Sequence, residues 1–182
     1  MERELVELAR QGDRAAFGKL AVTLGDRLHA VAHRILRDRE LAGDVTQQAL
    51  VKIWQELPQL RDSDLFAGWS YRVLVNTCRD EMRKRRRPSA DLDLLENDAW
   101  MPDASIAVAD RDQLERAFRR LTPDQRSAVI LHYYLDYSLA EIATIVNVPV
   151  GTVRSRLHYA RRAMRSAIEA DRRPALTGGR SA

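Results

Sequence analysis

The stretch Ser138–Leu157, SLAEIATIVNVPVGTVRSRL, decides the fold class. Ser138 with Glu141 three residues on is a capping box, so a helix starts at Leu139. It runs only to Val146. Asn147 takes the turn, since Asn enters the left-handed region more readily than other non-glycine residues. Pro149 then opens a longer helix reaching about Ala170. Ala143 is small where the two helices approach, and Ile142, Val146, Val148, Val153 and Leu157 can form a shared core. This is helix-turn-helix geometry, which offers its second helix to the major groove of DNA. On that helix Val153, Leu157, Ala160 and Met164 form the buried stripe, while Arg154, Ser155, His158, Tyr159, Arg161, Arg162 and Arg165 lie off it. Arg grips phosphates or reads guanine bidentately, and Ser and His touch base edges or phosphates. The bland alternative is a surface helix with a solvated basic face.

Upstream, Thr122-Pro123-Asp124-Gln125 repeats the start signal: a capping Thr, a Pro at the first helical position and a Gln at the third. Further back the composition changes. Residues 88–112 carry one basic side chain, Arg111, against seven acidic ones. The stretch holds Pro88 and Pro102 and follows the run Arg83–Arg87, where a helix must end before Pro88. Residues 1–87 carry a net +4 and residues 113–182 a net +6. The expectation is an all-α chain: two small helical domains, 1–87 and 113–170, joined by a flexible acidic linker, 88–112. Residues 171–182, with Pro174, Gly178 and Gly179, form a frayed tail. The basic–acidic–basic layout suits two polyanion-binding units.

The first unit reads as helices. Asp13 caps a long one with Phe17, Leu20, Leu24, Leu28, Val31 and Ile35 at spacings of three and four. Asp38 caps a second, with Leu41, Val45, Leu50, Ile53, Trp54 and Leu57. Leu57–Asp64 reads as a loop. A third helix runs from about Leu65 to Arg86, with Phe66, Trp69, Val73 and Leu74 as core candidates. Phe66, Trp69 and Tyr71 stand beside Asn76, Arg79, Arg83 and the basic run. Aromatics next to cations suit unstacked bases, each stacked base being worth ~1–3 kcal/mol; for Trp69, plain core packing is the competing reading.

Several classes are excluded or unsupported. The 182 residues are 45% apolar and 31% charged, a globular composition. No run approaches the ~18 apolar residues of a membrane span, and the N-terminus lacks a signal-peptide core, so a cytoplasmic protein is expected. The single Cys78 rules out an internal disulfide and a multi-cysteine zinc site. His29 and His33 are spaced like helical metal ligands but have no evident third partner. No phosphate-cradling glycine loop or nucleophile elbow is present, so no catalytic residue, metal or cofactor is expected, and the chain is not expected to be an enzyme.

The two units, in this order and separation, resemble the extracytoplasmic-function group of the sigma-70 family, bacterial transcription initiation factors. Gly12-Asp13, Ala16-Phe17 and Leu20 look like the start of the family's second region. Asp44-Val45, Gln47, Leu50 and Ile53-Trp54 look like its polymerase-binding helix. Phe66, Trp69-Ser-Tyr-Arg72, Asn76, Asp80 and Arg83 look like its −10 helix. Leu121-Thr-Pro, Arg126, Val129, Leu131 and Tyr134, followed by Ser138–Arg162, look like its fourth region, which reads the −35 element. Four residues depart from the pattern: Gly43 stands where Glu is usual, Gln48 where an acidic residue is common, Ser70 where Leu is frequent, and Asn147 in place of a turn Gly.

The resemblance implies a sigma factor whose partners are core RNA polymerase, promoter DNA and an anti-sigma factor, the last holding it near the membrane. Asp44, Gln47, Gln48 and Lys52 are then the polymerase contacts. Arg61, Asp62, Ser63, Asp64, Trp69, Asn76, Arg79 and Arg83 engage the −10 element, where a base is flipped from the stack. Arg154, Ser155, Arg156, His158, Tyr159 and Arg162 engage the −35 element. The acidic linker threads near the RNA exit path or serves as a passive tether. Two rivals stand beside this reading: a helix-turn-helix regulator acting on duplex DNA without polymerase, and a decoy that sequesters an anti-sigma factor.

Overall fold

A computed structural model of the chain describes residues 2–85 and 108–172. Most of the acidic stretch expected as a linker, up to residue 107, lies outside them, as does the tail from residue 173. Among the described residues there are eight α-helices and no strand. They are α1 (Glu2–Arg10), α2 (Arg14–Leu36), α3 (Arg39–Glu56), α4 (Phe66–Arg85), α5 (Val108–Arg119), α6 (Pro123–Tyr133), α7 (Leu139–Val146) and α8 (Val150–Arg172).

The start signals act as the sequence indicates. Asp13 accepts from the amides of Ala15 and Ala16 at 2.8 and 3.0 Å, and Asp38 accepts from Leu41 at 2.9 Å. Thr122 and Ser138 both complete reciprocal capping boxes, with Gln125 and Glu141. Asn147 is left-handed at φ 52° and ends α7. Short 3₁₀ turns at Leu57–Gln59 and Ser63–Leu65 shape the expected loop. Two helices go beyond the sequence reading: α1, and α5, which begins inside the stretch 88–112.

The apolar stripes meet as their spacing requires. Leu20, Leu24, Leu28, Val31 and Ile35 of α2 bury against Leu41, Val45 and Ile53 of α3 and Phe66, Val73 and Leu74 of α4. Phe17 and Trp54, both half-buried, close the edge of this core with ring centroids 4.8 Å apart. In the second unit Ile142, Val146, Val153, Leu157 and Ala160 are buried together, and Val148 and Met164 pack against them.

The two units pack against each other. α6 lies on α2, and α7 lies on α4, and the buried apolar cluster is continuous across them. Arg37, left-handed at the end of α2, reaches Glu115 of α5 at 2.8 Å, with both side chains largely buried. The Arg34 guanidinium stacks on Tyr134 at 4.1 Å from the ring centroid. Tyr71 of α4 meets Tyr137 edge-on at 6.0 Å.

Candidate nucleic-acid interface

The outer face of α8 follows from its inner one. With Val153, Leu157 and Ala160 turned into the core, Arg154, Ser155, His158, Tyr159 and Arg162 are left exposed. Tyr159 is 57% exposed. Its ring meets that of His158 edge-on at 5.6 Å. The Ser155 hydroxyl donates to the Thr152 carbonyl at 2.9 Å. Arg154 has no hydrogen bond or ion pair among the described residues, which leaves its guanidinium open to an external acceptor. Arg156 differs: it is half-buried and bonds Asp124 at 2.7 Å, on the flank where α6 packs.

In the first unit the expected residues fall on three surfaces. Asp44, Gln47 and Gln48 are exposed together on the outer side of α3, set by the burial of Val45, Thr46 and Ala49. Lys52, one turn on, leans toward α4 and donates to the Thr77 hydroxyl at 3.2 Å. It lines a cleft of about 280 Å³ with Gln48, Thr77, Asp80, Arg83 and Lys84. That cleft joins two residues expected at polymerase, Gln48 and Lys52, to one expected at the −10 element, Arg83.

The loop before α4 exposes Arg61, Asp62 and Asp64 and buries Ser63. The Asp62 carboxylate accepts from the Asp64 amide at 2.9 Å and closes the turn. Of the aromatics considered for base stacking, Phe66 and Tyr71 are buried. Trp69 is half-buried, its ring 6.1 Å from Phe66, so it serves the core while keeping one side open. On α4, Asn76 and Arg83 are exposed, Arg83 lying 3.7 Å from Asp80. Arg79 is turned toward the second unit: its Nε lies 3.3 Å from Asp124, and its Nη1 donates to the Val146 carbonyl at 3.2 Å. Arg79 and Arg156, expected at different DNA elements, therefore share one carboxylate. Asp124 was visible in the sequence only as an ordinary acidic residue in the first turn of its helix.

Cys78, His29 and His33 are the remaining residues singled out in the sequence. Cys78 is fully buried in α4, and burial pushes its thiol up to about 12. His29 and His33 lie parallel, 6.4 Å between ring centroids. Among the described residues no cluster of His, Cys, Asp or Glu could hold a metal, and no helix is long and apolar enough to cross a membrane.

Comparison with known proteins gives these surfaces a context. Residues 20–88 match sigma-70 region 2, and residues 111–164 match sigma-70 region 4. The RNA polymerase sigma-H factor of Pseudomonas aeruginosa is 32% identical, the match covering 92% of this chain and 94% of that protein. The ECF RNA polymerase sigma-E factor of Escherichia coli K12 is 30% identical over the same shares. Among solved structures, the sigma factor RpoE of Bartonella quintana, crystallised with the anti-sigma factor NepR, superposes with a TM-score of 0.71. That match has 26% identity and covers 86% of this chain and 98% of that one. CnrH, in complex with the cytosolic domain of CnrY, has a similar fold, with a TM-score of 0.64 at 23% identity, covering 93% and 98%.

Proposed function

Since the chain belongs to the extracytoplasmic-function group of the sigma-70 family, we propose that its exposed surfaces divide the work of promoter recognition as follows. The protein is an alternative sigma factor: it binds core RNA polymerase and directs initiation at promoters with −35 and −10 elements. The outer face of α3, through Asp44, Gln47 and Gln48, docks on polymerase, with Lys52 at its margin. The loop Arg61–Asp64, with Trp69, Asn76, Arg79 and Arg83 of α4, takes the −10 element, with a flipped base held against the loop. Arg154, Ser155, His158, Tyr159 and Arg162 of α8 take the −35 element in the major groove, with Arg156 at the edge of that face.

The observation that carries this reading is the presence of both surfaces in one chain. A simple helix-turn-helix regulator needs the face of α8 but has no use for an exposed polar α3 face beside a basic α4. The neighbours solved with anti-sigma factors support a partner of that kind here, and cytoplasmic action beside polymerase follows from the same role. No catalytic residue enters the proposal.

Run-off transcription from a genomic fragment library, with purified core polymerase, tests it. New discrete start sites, lost when residues 1–87 are removed, are expected. Binding to duplex fragments without any new transcript would overturn the division of work and favour the polymerase-independent regulator.

A further inference from the structure

Five residues, Arg61–Leu65, separate the buried Leu60 from the buried Phe66. Four of the five are exposed, and Ser63 alone faces inward, 7% exposed. Ser63 is therefore the loop's one inward anchor between those two core residues. Its hydroxyl does not reach the α2–α4 core. It donates to the Glu7 carboxylate of α1. Glu7 is held in turn by Arg10, whose Nη1 donates to its two oxygens at 3.3 and 3.0 Å and lies 3.5 Å from the Ser63 hydroxyl. A second tether joins the same two elements: Arg3 lies 3.3 Å from Asp64, at the exposed end of the turn. α1 also packs against the Leu57–Gln59 turn, so it touches the loop's approach as well as its root. It lies outside the stretch 20–88 that matches the family's second region.

We propose that Glu7 is a positioning residue for promoter selectivity: α1 is a strut that fixes the loop Arg61–Leu65 in the conformation that discriminates −10 bases. The proposal rests on the reading of that loop as the −10 surface. Base discrimination requires the reading side chains to be held to about half an ångström by a supporting shell. Losing the acceptor of a buried hydroxyl is far more costly than losing an exposed contact. A carboxylate at position 7, its side chain 43% exposed, suits the task because it accepts from the serine and the guanidinium together. Arg3 and Asp64, both mostly exposed, contribute less.

The test uses the full chain in holoenzyme, with single-round transcription from templates that differ by one base in the −10 element. The templates come from start sites located by the run-off experiment. The readout is the ratio of transcription between the preferred base and its competitors. Glu7→Ala is expected to compress that ratio by roughly threefold or more, the scale of one weakened hydrogen-bonded contact. Glu7→Gln, which keeps an acceptor for Ser63, should restore most of it. Ser63→Ala should compress the ratio similarly, and the double variant should go little further, because both remove one interaction.

A Glu7→Ala protein that lowers transcription equally from every template overturns the proposal, as does an unchanged ratio. If Glu7→Ala does not fold, Ser63→Ala carries the test from the loop side, and an unchanged ratio there overturns it too. Asp62→Ala and Asp64→Ala separate this failure from that of the underlying reading. If neither alters −10 discrimination, the loop is not the −10 surface. If they do and Glu7→Ala does not, the strut alone is wrong.

Discussion

Asn147 sits at φ 52°, ψ 57°, a backbone state that costs a residue with a Cβ about 1–2 kcal/mol. Asn lowers that penalty through its short polar side chain; a β-branched residue cannot. Asn147→Gly should therefore leave stability unchanged or slightly raised, and Asn147→Val should lower it by about 1–2 kcal/mol in urea denaturation. Arg154 makes the opposite kind of prediction. It has no partner among the described residues, so Arg154→Ala should leave the melting temperature where it is. If it reads a base, duplex binding at the −35 element should weaken by ~1–3 kcal/mol, measured by fluorescence anisotropy at fixed salt. Residue-scale features like these were legible because each depends on its immediate neighbours. The 3.6-residue period alone places Arg154 and Ser155 off the stripe of Val153 and Leu157. It could not show that Arg156 meets Asp124, since that pairing comes from a helix that lies far back in the chain and carries no periodic signature. Ser63 likewise falls in the expected loop and among the −10 residues, and nothing local reveals Glu7 beneath it.

At the scale of elements, legibility tracks how much a helix depends on docking. α2, α3 and α8 each carry long stripes and strong start signals, and the sequence places them well. α1 has nine residues and buries only Val6 and Ala9, so its own propensity is marginal and it forms by packing on α2. In the sequence reading it figures only as a charged terminus without a signal-peptide core. α5 is hidden for a related reason: it begins in an acidic stretch, and it is held from outside, with Gln113 donating to the Ile168 carbonyl of α8 at 2.8 Å. α3 carries a defect that can be repaired. Gly43 lies in the helix interior with nothing within 4 Å of the position a Cβ would take. Gly43→Ala should raise stability by roughly 0.5–1 kcal/mol, read as a higher urea midpoint. Gly43→Glu adds a carboxylate next to exposed Asp44. If this face docks on polymerase through its acidic character, it should tighten core binding in a competition assay against the unaltered protein.

At the scale of the whole molecule, the packing of the two units conflicts with the task. Elements at −35 and −10 lie roughly 25 base pairs apart, about 85 Å at ~3.4 Å per base pair. Arg79 and Arg156, which the proposed division assigns to different elements, are held by the two oxygens of Asp124 at 3.3 and 2.7 Å. If the proposed division of work holds, the packed arrangement does not span a promoter, and the units are expected to separate on binding one. Two features set how readily they do. Burial raises the phenols of Tyr71 and Tyr137 above their ordinary value, which means that the packed state favours their neutral forms. A raised acid contributes stability that is complete below its unfolded value, near pH 10, and is lost as pH rises through the folded one. Separation should accordingly follow tyrosinate formation in alkali, with these two tyrosines ionising above the ordinary phenol range in an absorbance titration. At neutral pH the ion pairs that cross between the units include Arg37 with Glu115 and the more exposed Arg79 with Asp124. Each ion pair of Asp124 is partly exposed and worth at most about 1 kcal/mol. Of these, only the Arg79 pair crosses between the units, so Asp124→Asn should raise the ratio of separated to packed forms by up to about fivefold. Energy transfer between dyes on α2 and α8 would measure it. Added salt should shift the unaltered protein the same way and the variant less, because the screened charge is already gone. The variant should also bind −35 duplex more tightly without polymerase, as Arg156 is released. An unchanged dye separation would place the restraint in the other contacts between the units, the Arg37–Glu115 pair and the packing of α6 on α2 and α7 on α4, and leave Asp124 without a role in it.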